Sequence, residues 1–182
     1  MSGGYDPRAV ANLMLDEADR LEIGVSHIIL QKLLYFAHGI YLMRTKTPLV
    51  SGYFEAWQYG PVHPAAYKSF KQAGKGAITF RASGQNPLTG EPRQIETPTD
   101  PHVVDLLRQV LLTYGNMPAG RLVDLSHAKD SPWEHVVAKA RTEVAFGLRI
   151  PDSVITERFR FHKVSVGLEP LSGEPIDDTP LA

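Results

Sequence analysis

The sequence contains no cysteine, which excludes disulfide bonds, thiolate nucleophiles and cysteine-ligated metal sites. It also lacks a long apolar run: the longest, residues 33–43, is interrupted by His38 and Gly39 and falls well short of the roughly 20 residues that cross a bilayer. The N-terminus has no basic patch followed by an apolar stretch, which a secretory signal requires. We therefore expect a cytoplasmic protein without a membrane-spanning segment.

An excess of charge of one sign is missing as well, since 19 Lys and Arg residues stand against 20 Asp and Glu residues. Residues 164–182 contain four acidic residues and no Lys or Arg, so the residues before them carry a net +3 against −1 for the whole chain. This balance is too mild for a protein that binds nucleic acid through charge alone. The basic cluster Lys68, Lys71 and Lys75 keeps a transcriptional or nucleic-acid-binding regulator open as the alternative function.

With 182 residues, 43% of them hydrophobic, the chain is long enough for one domain with a sizeable core. Apolar periodicity and start signals predict helices over residues 7–23, 27–44, 64–73, 101–114, 118–126 and from 131, with a last helical or irregular stretch over 151–162. The helix over residues 27–44 is apolar on nearly every side, which indicates that it is central and buried. Residues 77–82 and 93–97 are predicted to form a small β-hairpin. We predict a mainly α fold, with one compact helical domain over residues 1–163.

Residues 164–182 have a different composition, rich in proline and glycine as well as acidic. Little apolar area is available there to offset the loss of chain entropy on folding. We therefore predict a flexible, disordered acidic tail. Residues 52–61 are aromatic and end in a Gly-Pro breaker, which predicts an ordered connection packed on the core.

Signals for catalysis or metal binding are weak. The seven histidines form neither an HExxH motif nor a pair at metal-ligand spacing on a helix. Ser126 and His127, with Asp124 or Asp130, supply the residue types of a hydrolytic triad, but groups so close in sequence do not readily converge. A hydrolase is therefore the less favoured alternative, and we expect no enzymatic activity, no cofactor and no metal site.

Two motifs in a fixed order carry a family resemblance. The run KLLYFAH at residues 32–38 is followed by EAWQYGPV at residues 55–62, and then by Pro64 and Tyr67. This pattern resembles the Panacea domain, in which a similar helix leads into a similar segment at similar spacing. His127 and the Ser-Pro-Trp element at residues 131–133 also stand where the family often has a His and a Pro-Trp pair.

The resemblance implies an antitoxin of a toxin–antitoxin system that binds a cognate toxin protein. The chain looks most similar to the SocA-like group, which further implies an adaptor that delivers the toxin to the ClpXP protease. The fold does not identify the toxin, because one domain can be paired with many partners.

Residues that match the motif fall into two sets of expectations. The residues expected to act as scaffold are Lys32, Tyr35, His38, Glu55, Gly60, Pro61 and Pro64. An ion pair between Lys32 and Glu55 is the hypothesis for how the aromatic segment is tied to the central helix. The residues expected to contact a partner are Trp57, Tyr59, Lys68, Lys71 and Lys75, together with the loop at 84–92 and the tail.

Overall fold

The computed structural model describes residues 3–143, 147–162 and 173–181. About half of these residues are helical. The helices in the described ranges are α1 (Pro7–Arg20), α2 (His27–Thr45), α3 (Pro64–Phe70), α4 (Pro101–Tyr114), α5 (Ala119–Ser126), α6 (Pro132–Ala140) and α7 (Asp152–Arg158). The strands are β1 (Phe54–Trp57), β2 (Gly60–Val62), β3 (Ser83–Gln85), β4 (Pro92–Gln94) and β5 (Arg149–Ile150). Short 3-10 turns over Lys71–Ala73 and Phe159–Phe161 follow α3 and α7.

Three helices begin at capping side chains that the local sequence predicts. Asp6, Ser26 and Ser131 each accept a hydrogen bond from a backbone N–H in the first turn of α1, α2 and α6, respectively. Such caps satisfy amide groups that have no partner inside the helix. These helices therefore start where the local sequence predicts, whereas α1 ends at Arg20, three residues earlier than predicted.

Helix α2 is buried over most of its length, with 13 buried residues among its 19. It packs against α1, α3, α4, α5 and α7, and against β2. Gly39 allows one of the closest contacts, because a Cβ atom at this position would collide with the ring of Phe159 in the turn after α7. The absence of a side chain at Gly39 thus brings the C-terminal part of the helical body directly onto α2.

The aromatic segment is ordered, as predicted, but it forms a β-hairpin rather than an irregular connection. Strand β1 pairs antiparallel with β2, with Glu55 opposite Val62 and Trp57 opposite Gly60. Gly60 has a φ of 110°, which residues other than glycine rarely adopt and which lets the chain reverse after a short turn. On its other edge β1 pairs with β5, from a distant part of the chain, so local sequence patterns do not reveal this three-stranded sheet.

The predicted hairpin is present, but its strands differ from those expected over residues 77–82 and 93–97. The pairing occurs between β3, which follows the first predicted segment, and β4, which overlaps the start of the second. The backbone of Ala82 is instead held by the side-chain amide of Asn12, which donates to its oxygen at 2.9 Å and accepts from its nitrogen at 2.8 Å. Residues before β3 are therefore anchored to α1, and the hairpin projects beyond them with Leu88 93% exposed at its tip.

The structure differs from the predicted disordered tail at residues 173–181, which lie against the helical body. Asp178 in this stretch is only 3% exposed. The prediction rests on the small apolar area and on the proline-rich, acidic composition, whereas this stretch is held mainly by polar contacts. The rest of the predicted tail, with the domain boundary at residue 163, lies outside the described residues.

Within the described ranges, no helix combines the length and the hydropathy required to cross a membrane.

Candidate functional site: a groove that holds residues 173–181

The centre of the site is a buried ion pair. Lys32, in α2, is 0% exposed, and its Nζ donates to Asp178 Oδ2 at 3.1 Å and to the backbone oxygen of Pro61 at 3.2 Å. Burial lowers the pKa of Lys32, and the nearby carboxylate of Asp178 opposes that shift by favouring the charged ammonium. Two charges this far from water depend on each other, because neither has solvent to stabilise it.

The carboxylate of Asp178 is also bound by the turn of the β1–β2 hairpin. Its Oδ1 accepts from the backbone nitrogen of Tyr59 at 2.8 Å and from that of Thr179 at 2.9 Å. Together with the ammonium of Lys32, these groups supply three hydrogen bonds to one carboxylate. Lys32 and the backbone of the hairpin turn therefore form a carboxylate-binding site beside the N-terminal half of α2.

The chain beyond Asp178 extends the sheet. Gln58 donates its backbone N–H to the oxygen of Thr179 at 2.8 Å, and Trp57 forms an antiparallel bridge with Pro180. Because β2 already occupies one edge of β1 at Trp57, the bridge lies on the other edge, where β5 pairs further along. This is a short strand-type contact with the part of the edge that β5 leaves open, and strand addition of this kind is a common way for proteins to bind extended peptides.

The chain before Asp178 is held by two aromatic residues. Tyr67 OH donates to Asp177 Oδ1 at 2.9 Å, and His27 Nε2 lies 3.0 Å from the backbone oxygen of Ile176. Burial raises the pKa of Tyr67 to about 12, with a further contribution from Asp177, so the phenol stays protonated and able to donate. We call residues 173–181 the C-terminal segment. The Lys32 groove is the surface that holds it, formed by His27, Lys32, Trp57, Gln58, Tyr59, Pro61 and Tyr67.

The predicted ion pair between Lys32 and Glu55 is wrong. Glu55 Oε2 instead accepts from Trp57 Nε1 at 2.8 Å, and Lys32 takes its carboxylate from Asp178. The sequence contained one signal for this partner: a lysine on an otherwise apolar helix needs a carboxylate, and residues 177 and 178 are a consecutive acidic pair. A prediction of disorder for the tail excludes this pair as a partner for Lys32.

The residues predicted to contact a partner differ in exposure. Trp57 is 7% exposed, and its ring centroid lies 4.7 Å from that of Tyr67. Tyr59 is half-buried. The basic residues Lys68, Lys71 and Lys75 are all exposed. Their role in partner binding stays a prediction.

The remaining scaffold candidates connect elements around α2. His38 Nε2 lies 2.8 Å from Asp152 Oδ1 in α7, and its Nδ1 accepts from the backbone nitrogen of Val50 at 3.3 Å. Tyr35 OH lies 2.9 Å from His162 Nε2. Pro64 is the first residue of α3. These contacts hold α7, the residues after it and the chain before β1 on the helix that carries Lys32.

Ser126 and His127, two of the residues considered for a hydrolytic triad, make structural contacts. Ser126 is 0% exposed, and its Oγ donates to the backbone oxygen of Val123 at 2.8 Å. The ring of His127 stacks on Trp133 with centroids 3.6 Å apart, and Trp133 Nε1 donates to the oxygen of Trp57 at 2.7 Å. This chain of contacts ties α5 and α6 to the β1–β2 hairpin. In the part of the chain that the structure describes, no three His, Asp or Glu side chains are grouped so as to hold a metal ion.

Two histidines, His127 and His162, are partly buried and held in their neutral form. Burial lowers the pKa of both His127 and His162 to about 4, and the nearby charge of Lys32 contributes at His127. His162 Nδ1 donates to the backbone oxygen of Leu125 at 2.8 Å, so its Nε2 accepts from the phenol of Tyr35. Protonation of His162 removes that acceptor.

Acid is therefore expected to destabilise the protein between pH 6.5 and about 4, because the unfolded histidines bind protons there and the folded ones do not. Above pH 6.5 the stability is fully present, and it is lost as the pH falls towards 4. Urea unfolding at pH 7 and pH 5 measures this, and His162→Gln is expected to reduce the loss by about 2 kcal/mol. His102→Gln, at an exposed position, is the control. Equal pH dependence in wild type and His162→Gln contradicts the prediction.

Comparisons with known proteins agree with the motifs. A family model described as "Antitoxin SocA-like, Panacea domain" matches residues 30–134. The chain is 46% identical over 175 residues to Antitoxin SocA of Caulobacter vibrioides (strain NA1000 / CB15N), and the alignment covers 96% of this chain and 93% of that protein. No solved structure matches.

The family match includes Lys32 and the β1–β2 hairpin, whereas Asp178 lies beyond its end at residue 134. The alignment with Antitoxin SocA is long enough to take in nearly the whole chain. The resemblance that the two motifs indicated is confirmed: the chain belongs to the SocA-like antitoxin family with a Panacea domain.

Proposed function

We propose that this chain is an antitoxin that binds a cognate toxin protein and acts without catalysis. The observation that carries the proposal is the 46% identity with Antitoxin SocA over 96% of the chain. A non-catalytic role is supported by Ser126, which is fully buried and bonded to backbone, and by His127, which is stacked on Trp133. An antitoxin of this family needs a surface for its toxin, and the Lys32 groove is a site built to bind polypeptide.

The finer proposal is that the protein acts as an adaptor and delivers its toxin to the ClpXP protease. It is supported by the likeness to the SocA-like group. An adaptor needs one surface for its cargo and a second for the protease. The exposed lysines in and just after α3 and the projecting β3–β4 hairpin are not part of the Lys32 groove, so the protein offers more than one surface for these roles.

Co-expression tests the antitoxin proposal. The product of the adjacent gene is expected to stop growth when expressed alone, and this chain is expected to restore growth and to co-purify with it. A chain carrying Gly39→Trp, which would force α2 and the turn after α7 apart, serves as the unfolded control. Growth arrest that the intact chain does not relieve, with no partner recovered, would contradict the proposal.

Digestion with purified components tests the adaptor step separately. ClpXP is expected to degrade the toxin rapidly only when this chain is present. The chain itself is expected to remain intact through several rounds of toxin degradation. The control omits ATP, on which ClpXP depends. Equal rates of toxin loss with and without the chain would rule out the adaptor role and leave toxin binding untouched.

A further inference from the structure

The C-terminal segment is bound in the way that a separate peptide ligand is bound. It makes strand-type contacts with Trp57 and Gln58, and it places one carboxylate on Lys32. Little apolar burial supports these contacts, since the one large aliphatic side chain between residues 173 and 180, Ile176, is 60% exposed. Its position therefore depends on the polar contacts of a few residues around Asp178.

The groove selects an acidic ligand. In the described residues, Lys32 Nζ donates to Asp178 and to the backbone oxygen of Pro61. When Asp178 leaves, the oxygen of Pro61 is the acceptor that remains. A buried ammonium is strongly stabilised by a carboxylate and poorly by a neutral group. The chain before residue 164 also carries a net +3, which favours an acidic ligand at longer range. An extended segment with a correctly placed Asp or Glu fits both features.

A second copy of this chain is a poor candidate for that ligand. Its C-terminal segment offers the same contacts as the one already bound, and only ten residues, 163–172, join the bound one to His162. A short tether gives an intramolecular ligand an effective concentration of about millimolar, so an identical segment in another molecule competes poorly. Only a partner that adds contacts elsewhere on the body is able to displace it.

We propose that the Lys32 groove is where this antitoxin takes up an extended acidic segment of its toxin, and that residues 173–181 occupy the groove until the toxin displaces them. The proposal rests on the proposed function, because it assigns the partner to the toxin. The C-terminal segment then acts as a built-in competitor that keeps Lys32 paired while the antitoxin is free. Toxin binding replaces one carboxylate on Lys32 with another.

A peptide with the sequence of residues 173–181 tests the groove in the full-length protein. Fluorescence anisotropy is expected to show that the labelled peptide binds full-length Asp178→Asn about tenfold or more tightly than wild type, since the variant loses a charge-assisted hydrogen bond of its own segment. Glu174→Gln removes an exposed charge from the same segment and is expected to bind the peptide as wild type does. The peptide is also expected to raise the Tm of Asp178→Asn. Equal affinity for wild type and Asp178→Asn would overturn the proposal.

Specificity for the carboxylate has its own control. A peptide carrying Asp178→Asn is expected to lose binding, and Lys32→Met is expected to remove binding of the unchanged peptide. Circular dichroism first establishes that each variant is folded. If the affinity of the unchanged peptide for Lys32→Met equals its affinity for Asp178→Asn, the carboxylate site does not determine binding, and the proposal is overturned. A wild-type dimer that the peptide converts to monomer would also overturn it, since a second copy would then fill the groove.

The toxin recovered by co-expression completes the test. The peptide is expected to compete with the toxin for Asp178→Asn, and this variant is expected to bind the toxin about tenfold more tightly than wild type. Toxin that binds wild type but is unaffected by the peptide and by Asp178→Asn would overturn this inference while the antitoxin function stands. Absence of any toxin binding would instead overturn the proposed function, and with it the assignment of the groove to a toxin.

Discussion

Asp178→Ala is expected to lower the free energy of unfolding by about 3 kcal/mol, because it leaves the ammonium of Lys32 buried without a carboxylate. The C-terminal segment can then undock and let water reach Lys32, which limits the loss to about this size. Urea unfolding followed by circular dichroism measures the change. Glu174→Ala, on the same segment but exposed, is the matched control and is expected to change the free energy by less than about 0.5 kcal/mol.

A double-mutant cycle separates the ion pair from the other contacts of Asp178. Lys32→Met keeps the length and volume of the side chain and removes its charge, so the double variant Lys32→Met with Asp178→Ala buries no unpaired ion. We expect it to be more stable than Asp178→Ala alone, because replacing both members of a buried pair with apolar groups is often nearly neutral. Simple addition of the two single effects would show that Lys32 and Asp178 are not coupled, against the geometry of the groove.

Gly60→Ala is expected to lower the free energy of unfolding by about 3 kcal/mol for two combined reasons. The φ of 110° at Gly60 is strained for alanine, and the added Cβ would collide with Ser126 Oγ and lie 3.2 Å from Lys32 Cε. Thermal and urea unfolding measure the loss.

Gly76→Ala is the matched control, since nothing lies within 4 Å of a Cβ atom there and its φ lies outside the left-handed range. We expect this variant to be as stable as wild type or slightly more stable, because alanine reduces the freedom of the unfolded chain. Equal losses at both positions would mean that the hairpin turn tolerates a side chain beside Lys32.

These predictions give the family motif a physical meaning. Lys32 in the first motif and residues 59–61 in the second belong to one carboxylate-binding site, although Lys32 and Pro61 are 29 positions apart in the chain. Trp57 connects this site to Trp133 and His127, which the sequence also singled out. The motif therefore contains residues expected to act as scaffold and residues that form the Lys32 groove. Lys32 and Pro61 belong to both groups.

The features that depend on near neighbours in the chain follow from the sequence alone. Asp6, Ser26 and Ser131 start their helices because a cap needs only a side chain and the backbone a few residues ahead. The burial of α2 was predictable from its all-round apolar face, and the family from two motifs that each span fewer than ten residues.

Contacts between groups that are distant in the chain depend on the tertiary fold. β5 pairs with β1 from about 95 positions away, and Lys32 and Asp178 are separated by 146 positions, so no local pattern joins either pair. The sequence showed that a charged residue lay on a buried helix, but Glu55 and Asp178 were equally acceptable partners by residue type. The fold chose Asp178, because Glu55 accepts a hydrogen bond from Trp57 and the C-terminal segment lies along the edge of β1.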